Sequence, residues 1–282
     1  MKVAIIGAGN MGGAIAKGLA QGSIITANDI IVSNPSQGKL DALQAAYPAI
    51  KTTNDNVKAA QQADMVILAV KPWLAEEVLK EMQLSNHQML VSVAAGISFE
   101  QLAAFTGHKE MTMFRLIPNT AISLLQSTTI IASCNASAEQ EKLLLSIFNE
   151  MGLAMLVPES KMAACTSLTS CGIAYALKYI QAAMQAGIEL GIYPKDASKM
   201  VAQSVKGAAE LILQNDTHPS MEIDKVCTPG GLTIKGINQL EHDGFTSAII
   251  FFLLIRRLRG FFLIKEEFNR IYELYCICLI FQ

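Results

Sequence analysis

Three glycines near the start of the chain have the spacing of a phosphate-binding turn. Gly7, Gly9 and Gly12 form a G-x-G-x-x-G pattern directly after a short apolar run and before a helical segment. In that setting Gly7 permits a tight turn, Gly9 lets the backbone approach a pyrophosphate, and Gly12 allows close helix–strand packing. The helix start adds free N–H groups and a partial positive charge. We therefore predict dinucleotide binding by Gly7, Ala8, Gly9, Asn10, Met11 and Gly12, with an ordinary turn as the alternative.

Polar residues after the second predicted strand indicate which dinucleotide binds. An NAD site usually places Asp or Glu there, to accept a hydrogen bond from the ribose 2′-hydroxyl. This chain instead has Ser33, Asn34 and Ser36, followed by Lys39, while Asp29 lies ahead of the strand, at the wrong end. Hydroxyl, amide and ammonium donors favour the 2′-phosphate of NADPH, with NADH as the weaker alternative. Residues 34–36 forming only a turn is the other interpretation.

A lysine follows a third predicted strand. The apolar run 65–70 continues into Lys71 and Pro72. Parallel sheets bind ligands at the carboxyl ends of their strands, so Val70, Lys71 and Pro72 are expected to border the cofactor. A merely solvated lysine is an equally good interpretation of this position.

A second glycine pair lies late in the chain. Gly230 and Gly231 stand between Pro229 and Thr233, at the predicted start of a helix. Adjacent glycines there can form a nest of backbone N–H groups for an anionic oxygen. An ordinary helix-capping turn, with Thr228 or Thr233 as the cap, explains the same residues. Spacing alone does not decide between the two.

The elements that position these residues follow from apolar patterning. Alternating strands and helices over the first half predict a parallel, doubly wound α/β sheet of the Rossmann type, because parallel neighbours need crossover helices. The predicted strands are 3–6, 30–32, 65–70, 89–93, 113–117 and 128–132, and the predicted helices are 11–19, 38–46, 99–105 and 139–150. Residues 160–213 are predicted to be all-helical, with dimerisation through these helices. The predicted boundaries are 1–157 for the dinucleotide domain, 158–250 for the helical domain and 251–282 for an atypical tail.

Composition excludes several classes of protein. Hydrophobic residues make up 51% of the chain and charged residues 16%, with a net charge of -2, which gives no electrostatic footprint for nucleic acid. The six cysteines lack paired zinc-site spacing, and no histidine pair has metal-ligand spacing. The first apolar run has no signal-peptide chemistry, and no membrane span is expected before residue 245. We therefore expect a cytoplasmic protein with reduced thiols and no metal.

Five segments in the right order resemble the pyrroline-5-carboxylate reductase family over residues 1–250. They are GAGNMG at 7–12, AVKP at 69–72, RLIPNT at 115–120, VAQSVKGAAELIL from Val201, and TPGGLT at 228–233. The resemblance implies a Rossmann domain, a helical dimerisation domain, and a substrate site between subunits, often within rings of dimers. It also implies NADPH-dependent reduction of 1-pyrroline-5-carboxylate to L-proline.

The resemblance carries specific roles to residues of this chain. The backbone N–H groups of Gly230, Gly231 and Leu232 are expected to bind the substrate carboxylate, and Thr233 the ring nitrogen. It places Asn56 beside the cofactor ribose, and Asn119 near the nicotinamide and the substrate ring. Hydride transfer to a cyclic imine needs no strong protein acid, since the imine is readily protonated, so catalysis is expected to be mostly positioning.

Several departures from the family pattern stand out. Leu232 replaces a threonine, Ala121 stands where proline often follows the PNT triplet, and residues 169–175 are a variant of the family's helix start. The tail from residue 251 is rich in Phe, Ile and Leu and clusters Arg256, Arg257 and Arg259. It fits a basic amphipathic membrane segment, a modified dimer helix, or an altered reading frame, of which we favour the last.

Two other functions remain open from sequence alone. A reductase of a small hydroxy or keto acid would explain the first domain but leave TPGGLT unexplained. A non-catalytic NADPH-binding paralogue with a damaged carboxyl terminus would bind the cofactor without turning over a cyclic imine.

Overall fold

The computed structural model describes residues 1–259 and divides the chain into two compact units. The first unit is Met1–Cys171 and the second begins at Gly172. The boundaries predicted after residues 157 and 250 stay predictions. Most of the atypical tail, residues 260–282, lies outside the described residues, and only its start belongs to a described helix.

The first unit is built on one eight-stranded sheet in the order β3-β2-β1-β4-β5-β6-β7-β8. The strands are β1 (Val3–Ile6), β2 (Ile30–Ser33), β3 (Lys51–Thr53), β4 (Met65–Leu68), β5 (Met89–Ser92), β6 (Met113–Ile117), β7 (Ser127–Cys134) and β8 (Gly152–Leu156). All neighbouring strands run parallel except β6 and β7. Because the order reverses direction at β1, helices are carried to both faces of the sheet.

Seven helices accompany this sheet within the first unit. They are α1 (Asn10–Gln21), α2 (Gln37–Ala46), α3 (Asn56–Gln61), α4 (Ala75–Met82), α5 (Phe99–Thr106), α6 (Ala138–Asn149) and α7 (Met162–Thr166). Along β1, Val3 and Ile5 pack into the core on one face, and Ala4 and Ile6 pack into the core on the other. A strand buried on both faces explains why its sequence is continuously apolar rather than alternating.

The Rossmann-type fold predicted from the sequence is confirmed, with two additions and one correction. The short edge strands β3 and β8 were not predicted. The expectation of a wholly parallel sheet is wrong for β6 and β7, which pair antiparallel. Only residues 118–126 connect these two strands, and a parallel return needs a crossover of a dozen residues or more.

The second unit is helical over its described length, as predicted. Its helices are α8 (Gly172–Glu189), α9 (Pro194–Asn215), α10 (Pro219–Val226), α11 (Leu232–His242) and α12 (Phe245–Arg259). The chain enters α8 directly from a π-helical turn at Ser167–Cys171. The rings of Tyr175 and Phe252 join α8 to α12, with centroids 4.2 Å apart. None of the helices within residues 1–259 combines the length and apolar character needed to cross a bilayer.

This helical unit has little core of its own. Over residues 172–254, only Ala197 and Glu222 are buried, whereas Leu177, Leu190 and Leu213 are more than half exposed. Helices with so little buried apolar surface are marginal in water. The apolar side chains of α8 and α9 therefore need a covering surface that the described chain does not supply within this unit.

Candidate active site

A cleft of about 680 Å³ opens at the carboxyl ends of β1, β2, β4 and β5 in the first unit. This is where the strand order reverses, the position at which open α/β sheets bind ligands. Ten of the residues predicted to bind the cofactor line it: Gly7, Gly9, Asn10, Met11, Asn34, Lys39, Asn56, Val70, Lys71 and Pro72. Residues far apart in sequence are thus brought together at one edge of the sheet.

The three glycines of the first turn each meet a different spatial demand. Gly7 has φ +107°, and a Cβ there would lie 2.6 Å from the carbonyl oxygen of Ala69. A Cβ on Gly12 would lie 1.9 Å from the carbonyl oxygen of Gly7. At Gly9 nothing lies within 4 Å of the Cβ position, so a side chain there would project into open space beside the cleft. The vacant volume at Gly9 is what a pyrophosphate requires.

The same turn presents N–H groups to the cleft. The first helical bond of α1 runs from Gly13 N–H to the Gly9 carbonyl, at 2.8 Å. The N–H groups of Asn10, Met11 and Gly12 therefore have no partner within the helix. The first turn of α1 carries no acidic side chain to compete for them. This arrangement fits an anion such as a pyrophosphate.

Asn34 ties the end of β2 to the glycine turn. Its Oδ1 accepts a hydrogen bond from Ala8 N–H at 3.0 Å, and its Nδ2 donates to the Ser36 carbonyl at 3.0 Å. Asn34 and Ala8 are both buried, and Ser36 contributes its backbone to this contact. Asn34 lines the cleft, but its side chain hydrogen-bonds to two loops of the protein itself.

Ser33 lies beneath the cleft rather than on its surface. It is fully buried at the end of β2, and its Oγ donates to Asn56 Oδ1 at 2.7 Å. Ser33 is not part of the cleft lining, so the direct cofactor contact expected of it stays a prediction. Asn56 is the first residue of α3, which Asp55 caps by accepting from Lys58 N–H.

The charged side chains that line the cleft are all positive. Its lining, taken over the residues that the structure describes, holds Lys39 and Lys71 and no carboxylate. The Lys71 Nζ lies 6.0 Å from the ring centre of Trp73, an indole that is 75% exposed. Two ammonium groups with no acidic counterpart suit a ligand that carries several phosphates.

Some residues of the cleft were missed by the sequence analysis. Asn54 lines it and donates from Nδ2 to the carbonyl of Asn34 at 2.9 Å. Val93, Ala94 and Ala95 line it from the end of β5. The rule that ligands bind at strand ends applies to β5 as much as to β4, so the predicted strand at 89–93 already contained this signal.

Asn119 lies outside the lining of this cleft, in a rigid setting of the first unit. It is buried, its Oδ1 accepts from Ala121 N–H at 3.0 Å, and its N–H donates to Ser127 Oγ at 3.1 Å. Its Nδ2 approaches the Thr169 carbonyl at 3.5 Å. The side chain is held by these contacts at the start of a 3₁₀ turn.

The late glycine pair belongs to the second unit and forms a tight turn. Gly230 has φ +72°, and Gly231 caps the start of α11. The Gly231 N–H donates to the Thr228 carbonyl at 2.9 Å. The expectation that Gly231 offers its N–H to a carboxylate is therefore not met in this conformation, because the turn itself engages that group. Leu232 and Thr233 open α11, where N–H groups have no helical partner, and both are exposed.

The segment before this turn is held by one carboxylate. Glu222 in α10 accepts from Lys225 Nζ at 2.8 Å and from Thr217 Oγ1 at 2.6 Å. The hydrogen bond from Lys225, followed by the bond from Thr217, lowers the pKa of the Glu222 carboxyl.

No cluster of metal-ligating side chains occurs within residues 1–259.

Two family models match two separate parts of the chain. One described as pyrroline-5-carboxylate reductase dimerisation matches residues 159–253, and one described as NADP oxidoreductase coenzyme F420-dependent matches residues 2–96. The second match spans all the residues that line the cleft.

Several proteins similar to most of this chain are named pyrroline-5-carboxylate reductase. Pyrroline-5-carboxylate reductase 1 of Dictyostelium discoideum is 36% identical over 263 residues, covering 88% of this chain and 47% of that relative, about half its length. Pyrroline-5-carboxylate reductase 2 of the same organism is 34% identical over 264 residues, covering 88% of both chains. A crystal structure of Plasmodium falciparum pyrroline carboxylate reductase with NADP bound superposes with a TM-score of 0.81 at 25% identity, covering 91% of this chain and 95% of that one. The chain belongs to the pyrroline-5-carboxylate reductase family.

Proposed function

We propose that this chain reduces 1-pyrroline-5-carboxylate to L-proline with NADPH as the hydride donor. The oxidoreductase class and the substrate follow from the family. The observation that carries the choice of cofactor is the cleft lined by Lys39 and Lys71 with no carboxylate among the described residues. An NAD site would place an acidic acceptor at the end of β2. A relative whose crystal structure holds NADP has the same fold.

The residues present fit a dinucleotide phosphate. The open volume at Gly9 and the unpartnered N–H groups of Asn10, Met11 and Gly12 form a cradle for the pyrophosphate. Asn56 and Lys39 supply donors at the ribose end of the cleft. When bound, the nicotinamide supplies a hydride to the imine carbon of the substrate ring.

The protein's own contribution is to position the substrate. Backbone N–H groups at the start of α11, including those of Leu232 and Thr233, bind the carboxylate, and Gly230 gives the turn its left-handed bend. The Thr233 hydroxyl orients the ring nitrogen, whereas Asn119, whose side chain bonds within the first unit, stays a prediction for a contact near the nicotinamide. A protonated cyclic imine is already an electrophile, so orientation is the larger part of catalysis. We name Thr233 as the residue in contact with the reacting group.

We further propose that the active form is a homodimer joined through the helices of the second unit. The exposed leucines of α8 and α9 give that unit an apolar surface without a core. The family model that covers residues 159–253 is described as a dimerisation domain. Burial of such side chains against a second copy would stabilise helices that are marginal alone. A ring of dimers and a cytoplasmic location stay predictions.

The test of the proposed function is substrate-dependent oxidation of NADPH, followed by absorbance. Protein whose oligomeric state has been measured by light scattering is mixed with 1-pyrroline-5-carboxylate and either NADPH or NADH. We expect proline to accumulate in step with cofactor oxidation, and kcat/KM to be higher for NADPH. A folded dimer that binds NADPH without forming proline would contradict the proposal.

A further inference from the structure

The side chains of Ser33 and Asn56 are hydrogen-bonded to each other beside the cleft. Ser33 is fully buried, and its hydroxyl donates to Asn56 Oδ1 at 2.7 Å. A buried hydroxyl left without an acceptor is destabilising, so this proton holds Oδ1 in place. Since the amide is planar, Nδ2 is turned away from Ser33. Within residues 1–259 it donates to no protein atom and is not buried, and Asn56 lines the cleft.

Both oxygens of Asn34, which follows β2, are also engaged by the protein. Asn34 Oδ1 accepts from Ala8 N–H, and the Asn34 carbonyl accepts from Asn54 Nδ2 at 2.9 Å. The groups left toward the cleft include two donors, Asn56 Nδ2 and the Lys39 ammonium, beside one amide acceptor, Asn54 Oδ1. A phosphate only accepts hydrogen bonds at this surface, whereas a ribose hydroxyl also needs somewhere to donate.

We infer that Ser33 is a positioning residue that sets cofactor specificity by fixing the Asn56 amide with its N–H groups toward the cleft. The fixed amide favours a 2′-phosphate and offers a 2′-hydroxyl no acceptor of its own. This inference rests on the proposed use of NADPH and adds the residue that enforces the preference. Without the Ser33 hydroxyl, the amide rotates by half a turn at little cost, and its oxygen then accepts from the 2′-hydroxyl of NADH.

The test measures binding rather than turnover. Trp73 is the chain's single tryptophan, and it follows Lys71 and Pro72, which line the cleft. Energy transfer from Trp73 to the reduced nicotinamide gives a dissociation constant for NADPH and for NADH. For Ser33→Ala we expect the NADPH Kd to rise about twofold, because an amide that rotates freely presents its N–H groups to the cleft only about half of the time. The NADH Kd should stay the same or fall, so the NADH Kd divided by the NADPH Kd should become smaller.

A double-mutant cycle separates positioning from general damage. In an Asn56→Ala background, Ser33→Ala is expected to change neither constant further, because the group it orients is gone. Ser133→Ala is the matched control: Ser133 also lies on a strand of this sheet and donates its hydroxyl to a side chain, that of Glu141, away from the cleft. It should leave both constants unchanged.

A second variant guards against loss of folding in Ser33→Ala. Asn56→Asp keeps the shape, and the Ser33 hydroxyl still has an oxygen to bond, but the other oxygen now faces the cleft as an acceptor. It should reverse the preference toward NADH. If Ser33→Ala weakens both cofactors equally, or adds its full effect to Asn56→Ala, Ser33 has no orienting role. A wild-type chain that prefers NADH would instead overturn the proposed cofactor itself.

Discussion

A methyl group on Gly12 would stand 1.9 Å from the carbonyl oxygen of Gly7. Helix α1 therefore meets the end of β1 with no room for any side chain, and the obstacle is backbone that cannot swing aside. We expect Gly12→Ala to lower the free energy of unfolding by about 1–3 kcal/mol or more, and to abolish NADPH binding, because the turn must open. Urea unfolding and cofactor titration measure the two effects.

The neighbouring Gly13 offers a matched control. A Cβ there would lie 3.7 Å from the Ala8 carbonyl oxygen, an ordinary contact. Alanine is favoured over glycine inside a helix by about 0.5–1 kcal/mol, so Gly13→Ala should leave the fold stable and NADPH bound. Equal damage from both variants would show that α1 resists any added methyl group, not one at Gly12 in particular.

Gly9→Ala should separate binding from folding. Gly9 has an extended backbone, which any residue adopts, and its Cβ position is open. The added methyl group occupies the space of the pyrophosphate, so the melting temperature should stay within a degree or two while the NADPH Kd rises at least about tenfold. Thermal unfolding without cofactor, together with Trp73 fluorescence, checks both. Unchanged affinity would mean that the phosphates do not lie against this turn.

Much of the fold could be predicted from apolar runs in the sequence, and the strands that were not predicted were missed for physical reasons. Strands β1, β4 and β5 are buried along their whole length, so their sequences are continuously apolar and easy to recognise. Strand β3 is three residues long and is Lys51-Thr52-Thr53, at an edge of the sheet where polar side chains meet solvent. Its pairing with β2 is a tertiary effect that local pattern does not contain.

The candidate site likewise has residues that the sequence pattern predicts and residues whose role only the tertiary structure shows. The positions of Gly7, Gly9 and Gly12 follow from backbone demands that leave a sequence signature. The roles of Ser33 and Asn34 do not, since a polar residue at a strand end serves the ligand or the protein's own loops with equal ease. Only the hydrogen bonds to Ala8 and Asn56 show that these two side chains serve the protein.

Glu150 gives the first unit a pH-dependent contact between α6 and the loop after α1. Its carboxylate accepts from Ser23 N–H at 2.8 Å, from the Ser23 hydroxyl and, weakly, from Ile24 N–H. Gly22 makes room for it, since a Cβ there would lie 2.3 Å from Glu150 Oε2. Burial alone raises the pKa of the carboxyl, and the bonds from Ser23 and Ile24 outweigh it, so the pKa lies below its ordinary value of 4.5.

A depressed pKa in the folded state means that the unfolded chain binds this proton more tightly. The contribution to stability is therefore complete above about pH 4.5 and is lost as the pH falls through the folded-state pKa. We expect Glu150→Gln to lower the free energy of unfolding by about 0.5–1 kcal/mol at pH 7, after allowance for solvent screening. The difference from wild type should shrink toward pH 3.

Lys39 should contribute to NADPH affinity through its charge. It lines the cleft with Lys71, and no carboxylate among the described lining residues offsets either. Lys39→Met keeps the length of the side chain, and we expect the NADPH Kd to rise about five- to tenfold while the NADH Kd changes little. The loss should be smaller at high salt, where the charge is already screened. Lys58→Met, an exposed lysine of α3 outside the cleft lining, is the control for net charge.

Thr233→Ala should lower turnover without weakening the cofactor. Thr233 opens α11 in the second unit, whereas the cleft is lined wholly by residues between Ile6 and Ala95 of the first. Loss of the hydroxyl removes orientation of the ring nitrogen, so we expect kcat to fall about 10- to 100-fold with an unchanged NADPH Kd. Thr233→Ser, which keeps the hydroxyl, should recover most of the rate. A parallel rise in the NADPH Kd, or a Thr233→Ser variant as slow as Thr233→Ala, would contradict the proposed contact between Thr233 and the substrate ring. The role of Thr233 would then be only to start the helix.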